Sequence, residues 1–365
     1  MRVLIAPQEF KGSLTAAEAA NAMAAGIRRA RPDWTLDLVP MADGGPGFLA
    51  AIHGAQGGHL LTAAVHDPIG RPVRARYLLL PGQPRVVVVE AAQANGLLLL
   101  AANERDPLRA DTYGVGELIL AVAEARPARI LIGVGGSATT DGGAGMARAF
   151  GARFWSMDGR ELEPGGAALA GLARLDWRRP PTLDGIEVVV ATDVTNPLIG
   201  PNGAAAIYGP QKGATPDQVD SLEAALTTFA LVVRRALGVE IASLPGVGAA
   251  GGLAAGLVAF LGAKIVSGFD VVAEATGLAA RVAQADYVVT GEGSFDSQSL
   301  QGKTTGRVVG LAKSLGKPTQ VFAGRAEARL ACATLMSLEP EPATAMARAG
   351  ELLAQLAANW AGARP

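Results

Sequence analysis

Cysteine is nearly absent from this 365-residue chain, and Cys332 is the single one. That excludes a disulfide framework and any cysteine-rich metal site. Histidine is scarce as well: His53, His59 and His66 fall in one short stretch without the spacing of a zinc site. They read as surface or structural residues. Aromatics make up 5% of the chain, and the formal net charge is -1. So small a charge argues against a nucleic-acid or membrane-surface partner, since both call for a basic patch. No targeting segment is expected, because the apolar run at Met1–Pro7 is too short for a signal sequence. Ile241 to Ala263 is uncharged, but its glycines and Pro245 suit a turn entering a buried helix better than a membrane span. A soluble, cytoplasmic protein is the expectation.

What the chain has is glycine, 47 residues of it. At 365 residues it suggests two domains, possibly three. Short β-branched runs, such as Val3–Ile5, Val86–Val89, Arg129–Val134, Ile186–Ala191, Tyr287–Thr290 and Thr319–Ala323, alternate with helical stretches. Those stretches include Thr15–Arg29, Tyr113–Ala125, Pro216–Leu237 and one final helix from Pro342 to Trp360. The alternation predicts an α/β protein with largely parallel sheets. No linker separates two halves, which suggests one domain inserted into another, with crossings near Val65–Arg71 and Ala275–Ala285.

The glycines gather in five places: Lys11–Ser13, Asp43–Gly47, Gly133–Gly145, Gly246–Gly256 and Gly291–Gly293. Such turns let backbone come close to a ligand, and their N–H groups suit phosphate. Lysine sharpens this reading. There are only six, and Lys11, Lys212 and Lys303 lie beside glycines, as compact charges for a phosphate would. Asp43, Asp141, Asp193, Glu292 and Asp296 occupy the same places. Phosphoryl transfer asks for such carboxylates, as Mg²⁺ ligands or as the base for an acceptor hydroxyl. Turn and helix capping is the other reading of loop aspartates, and for Asp141 both stay open. Gly302-Lys303-Thr304 lacks the first glycine of a P-loop, because Ser297 stands there. Gly133 to Ala138 fits a loose G-x-G-x-x-A pattern, which leaves a hydroxy-acid oxidoreductase as a further reading.

Eight segments in register give the chain its resemblance. They are Ala6-Pro7 with Phe10–Leu14, Pro40–Gly45, Asn103–Leu108 with Thr112-Tyr113-Gly114, and Gly133–Met146. Further on come Asp193–Leu198, Gly209–Ala214, Gly248–Leu253, and Thr290–Gly293 with Asp296, Gln298 and Gly302-Lys303. Together they resemble the type 1 glycerate kinase family. The resemblance implies ATP- and Mg²⁺-dependent phosphorylation of D-glycerate, with 2-phosphoglycerate favoured over 3-phosphoglycerate. It implies two α/β domains, a Rossmann-like one built from both termini (1–66 and 285–365) and an inserted one (67–284), with the active site in the cleft between them. Monomer or homodimer both remain open.

On this reading Asp193, Asp296 and Lys11 are the catalytic candidates, with Asp193 or Asp296 the general base. Glu292 and Asp193 are the candidate Mg²⁺ ligands. Gly12, Ser13, Asp43, Gly44, Gly45, Gly135, Gly136, Ser137, Asp141, Asn196, Lys212, Gly251 and Gly252 are the candidate substrate and nucleotide contacts. The Gly133–Gly145 and Gly248–Gly252 loops would offer N–H groups. The chain departs from the family pattern at Gln8-Glu9, Pro46, Phe48 and Ser294, and in a shortened stretch between Gly324 and Cys332. Those departures motivate the alternative of a non-catalytic member, or one binding a different hydroxy acid.

Overall fold

The computed structural model describes residues 1–364 except 298, 300, 301 and 328; Gln298 therefore lies outside the described residues. Its strands, in chain order, are β1 (Arg2–Ile5), β2 (Thr35–Leu38), β3 (His59–His66), β4 (Pro72–Leu79) and β5 (Val86–Glu90). Then come β6 (Arg129–Gly133), β7 (Arg153–Trp155), β8 (Arg174–Asp176), β9 (Glu187–Ala191) and β10 (Lys264–Val266). Last are β11 (Tyr287–Phe295), β12 (Thr319–Ala326) and β13 (Ala333–Thr334). The chain divides into two units. One comprises Met1–Asp43, Ala50–Gln56 and Phe269 onward; the other comprises Gly44–Leu49 and Gly57–Gly268.

The first unit holds a parallel five-stranded sheet in the order β13-β12-β11-β1-β2. Parallel strands need crossover helices on their faces, and a helix from Ala16 to Ala30 supplies one. Thr15 caps its start in a capping box with Glu18, and its buried stripe of Ala19, Ala20, Met23 and Ile27 meets the sheet core. The helix Ala349–Gly362 joins the same core through Leu353, Ala357 and Trp360. The C-terminal segment contains two helices, Pro342–Ala347 and Ala349–Gly362, where the sequence predicts one; Arg348 breaks them.

The second unit holds a six-stranded sheet, β10-β9-β6-β5-β4-β3, in which β10, β9, β6 and β5 run parallel and β4 and β3 antiparallel. β7 and β8 pair antiparallel as a separate two-stranded sheet. The apolar runs of β5, β6 and β9 form the centre of this sheet, and Val87, Val89, Ile130, Ile132, Val188 and Val190 lie in its core. The predicted crossing at Val65–Arg71 is instead the turn joining β3 to β4, whose eight residue pairs are all in register. The turn is held by Asp67, whose carboxylate accepts from the Ile69 and Arg71 N–H groups. By contact, residues 57–66 group with this unit and 269–284 with the first, with divisions at 43/44, 49/50, 56/57 and 268/269 beside the expected 66/67 and 284/285.

Candidate functional site

In the first unit the candidate residues collect past the C-terminal end of β1 and along and beyond the C-terminal part of β11. Beyond β1, the Gln8 N–H donates to the Gly291 carbonyl at 2.9 Å and prolongs the pairing. Gln8 Nε2 donates to Asp43 Oδ2 at 2.8 Å, so an amide holds this aspartate without like-charge repulsion. The tight turn Phe10–Leu14 follows, with Phe10 buried, the Ser13 hydroxyl donating to the Phe10 carbonyl and Gly12 at φ +77°. Lys11 at its tip is exposed.

Gly291–Gly293 is not a turn. β11 continues through it to Phe295, and Gly291 pairs with Phe322, whose carbonyl oxygen lies 2.1 Å from where a Cβ at 291 would be. The glycine there serves a close approach of two strands rather than a bend. Extension of the strand leaves Glu292 8% exposed, with Oε1 lacking a hydrogen-bond partner among the described residues. Burial pushes its carboxyl up, and the Asp296 charge pushes the same way, while neighbouring hydroxyls and Lys303 oppose. Asp296 follows β11, and its Oδ1 accepts from the Ser299 N–H at 2.8 Å. Lys303 Nζ lies 3.8 Å from that carboxylate, just before the helix Thr304–Ser314. Two carboxylates in one segment, one with an orphaned buried oxygen, fit the sparse protein ligation that Mg²⁺ takes. Asp193 belongs to the other unit. Among the described residues no group of three or more His, Cys, Asp or Glu is disposed to hold a metal.

In the second unit the candidates lie past the ends of β6 and β9. Asp141 is fully buried, and its carboxylate accepts from the Thr112 N–H and hydroxyl and from the Gly143 and Gly145 N–H groups, at 2.8–3.1 Å. It therefore occupies the helix start where the sequence reading places a phosphate. Gly142 N–H donates to the Gly251 carbonyl, and Gly248 N–H to that of Asn196. These four N–H groups are satisfied inside the protein. Gly251 (φ +66°) is required by proximity as well, since a Cβ there would lie 2.0 Å from the Thr139 oxygen. Gly252, at φ +86°, starts the helix Leu253–Leu261. Ser137 is buried, whereas Gly136 is exposed at φ +79°.

Lys212 is 2% exposed, and its Nζ donates to the Thr139 carbonyl. Burial drives its pKa down to about 7, against the pull of Asp141. Asp193, just beyond β9, accepts from the Ser267 hydroxyl at 2.7 Å. Asn196 donates to the Asn202 carbonyl and accepts from the Tyr208 hydroxyl, so it clasps its own loop.

Gly44 and Gly45 lie against the same strand ends. Gly135 N–H donates to the Gly44 carbonyl at 3.0 Å, and a Cβ on Gly135 would be 2.5 Å from the Gly45 Cα. Pro46 packs on Gly136, again at a distance that only glycine allows.

Two carboxyls escape the sequence reading, Glu90 buried and Asp111 partly buried. Glu90 closes β5 and is 6% exposed. An acid directly after the apolar run Val86–Val89 was the available signal, the same one that marks Asp193. Asp111 is pushed up to about 6 by burial and then by Asp141, opposed by the Tyr113 N–H and Arg148. It lies on a cavity of about 1420 Å³ within this unit, with His66, Tyr113 and Arg148. Its signal was weaker, since an aspartate ahead of Thr112-Tyr113-Gly114 looks like a helix cap.

Comparison with known proteins concerns the chain as a whole. Residues 3–363 match the sequence model of the glycerate kinase family. A glycerate kinase of Halalkalibacterium halodurans is 45% identical over 323 residues, covering 88% of this chain and 85% of that protein. A glycerate 2-kinase of Escherichia coli (strain K12) is 43% identical over 325 residues, covering 89% and 85%. A solved structure described as a glycerate kinase 2 from Salmonella typhimurium LT2 superposes with a TM-score of 0.78 at 40% identity, covering 99% of this chain and 97% of that one.

Proposed function

The chain belongs to the glycerate kinase family, and from that premise we propose that it transfers the γ-phosphoryl group of ATP to D-glycerate, giving 2-phosphoglycerate and ADP. The observation that carries this reading is the buried Glu292 with its orphaned Oε1, joined in one segment by Asp296, Lys303 and the start of the helix Thr304–Ser314. An acid this deep is costly unless something positive meets it.

Glu292 and Asp296 would hold Mg²⁺, which when bound neutralises charge on the phosphates. Asp193 takes the proton of the glycerate hydroxyl as its oxygen bonds to phosphorus and ADP leaves; the Ser267 hydroxyl orients that carboxylate. Lys11, exposed on its turn, meets the negative charge of the transferred group. Lys212 supports the 133–141 loop from below through Thr139. The name of the Escherichia coli relative supports O2 as the accepting oxygen. A cytoplasmic location follows from the use of ATP.

The departures at 8 and 46 have structural places, Gln8 on Asp43 and Pro46 on Gly136, so they do not favour a non-catalytic member. Phosphorus NMR of the products from ATP, Mg²⁺ and D-glycerate tests the proposal. A 2-phosphoglycerate resonance is expected. Absence of any phosphoglycerate would overturn the kinase reading, and 3-phosphoglycerate would overturn the choice of oxygen.

A further inference from the structure

We propose that Glu90 is a positioning residue that fixes the loop Gly44–Gly47 in its binding geometry, a role that rests on the kinase reading of that loop. Glu90 sits at the end of β5, where it pairs with Gly133 of β6. It is 6% exposed, and no lysine or arginine forms an ion pair with it among the described residues. A carboxylate so placed costs more than an apolar residue of the same size would, unless its oxygens are used.

Both are used. The Leu49 N–H, in the first turn of the helix Phe48–Gln56 that the loop enters, donates to Oε2 at 3.2 Å. Gln93 Nε2 steadies Oε1 at 3.4 Å. The first N–H groups of a helix have no partner within it, so Glu90 acts as a remote cap contributed by a strand. The other end of the segment is seated by contact. Gly44 approaches the Ala191 carbonyl, Gly45 approaches Gly135, and the Gly135 N–H donates to the Gly44 carbonyl. The loop thus rests on the ends of β6 and β9, and Glu90 draws it down from the end of β5. Burial pushes the Glu90 carboxyl up, against the Leu49 N–H, Gln93 and Arg76.

Two readouts test this on the full-length enzyme, one independent of turnover. Hydrogen exchange of the 44–52 segment is expected to quicken about tenfold or more in Glu90→Gln, with protection elsewhere in the sheet retained. In steady-state kinetics Glu90→Gln is expected to raise KM for ATP or D-glycerate about tenfold, with kcat within about threefold. Glu90→Asp, which keeps the charge on a shorter arm, is expected to recover part of both and serves in place of Glu90→Gln if that variant does not fold. Unchanged exchange over 44–52 would overturn the clamp. Faster exchange with both KM values unchanged would overturn its role in binding. A wild-type protein without glycerate kinase activity would refute the function reading while leaving the exchange result to judge the clamp.

Discussion

Lys212 carries the strongest electrostatic consequence of any single side chain. Buried under the 133–141 loop with a pKa of about 7, it binds fewer protons in the folded chain than in the unfolded one between pH 7 and the ordinary lysine value. The buried ammonium therefore costs the fold most below neutrality, and stability rises with pH across that window by up to about 1.4 kcal/mol per unit. Lys212→Met removes the effect. The variant is expected to be more stable than wild type at pH 7, with the gap closing towards pH 10.5, as read by urea denaturation at a series of pH values. If it also loses activity, Lys212 exchanges stability for function. Sequence spacing could place Lys212 beside glycines but not in the interior. Lysine is so seldom buried that its depth follows only from the packing around Thr139 and Asp141.

At the scale of elements, what was legible depended on how fully each element was covered. β5, β6 and β9 are covered on both faces and read directly as apolar runs. β3 escaped notice because its residues from His59 to Thr62 are exposed on both faces, which erases the alternation that would mark a half-buried strand. The glycine clusters were legible as places and less so as mechanisms. Their positions coincide with strand ends, yet many serve contact between backbones, as at 251 and 291, rather than an open N–H cradle. Gly251 and Gly262 share a φ of +66°, but only Gly251 has backbone within reach of an added Cβ. Gly262→Ala should cost about 1–2 kcal/mol, the strain of a left-handed residue. Gly251→Ala should add overpacking to that strain and reach about 2–5 kcal/mol. Thermal melts of the two variants separate conformational strain from steric contact, and equal losses would contradict the contact argument.

For the whole molecule, the near-zero net charge means that charge for a phosphate has to be supplied locally. Lys212 is buried, Lys303 faces Asp296, and Lys11 stands on a turn. Long-range steering contributes little to a chain of this kind, and contacts made at close quarters are weakly screened. The kcat/KM for ATP should accordingly change less than about threefold between roughly 0.05 and 0.3 M salt. A steep fall would point instead to steering by an extended basic surface. The family and the α/β architecture were readable from motif order alone. Unit boundaries were not, because the segment Gly44–Leu49 joins the second unit through backbone contacts that leave no composition signal.

Asp141 gives that organisation a further consequence. A loop shaped around a bound anion is disordered until the anion comes, and its ordering is charged against affinity. Here the anion is part of the chain. With the Asp141 carboxylate holding Thr112, Gly143 and Gly145, the turn after β6 is assembled before any substrate arrives, preorganised by a resident counter-ion that never dissociates.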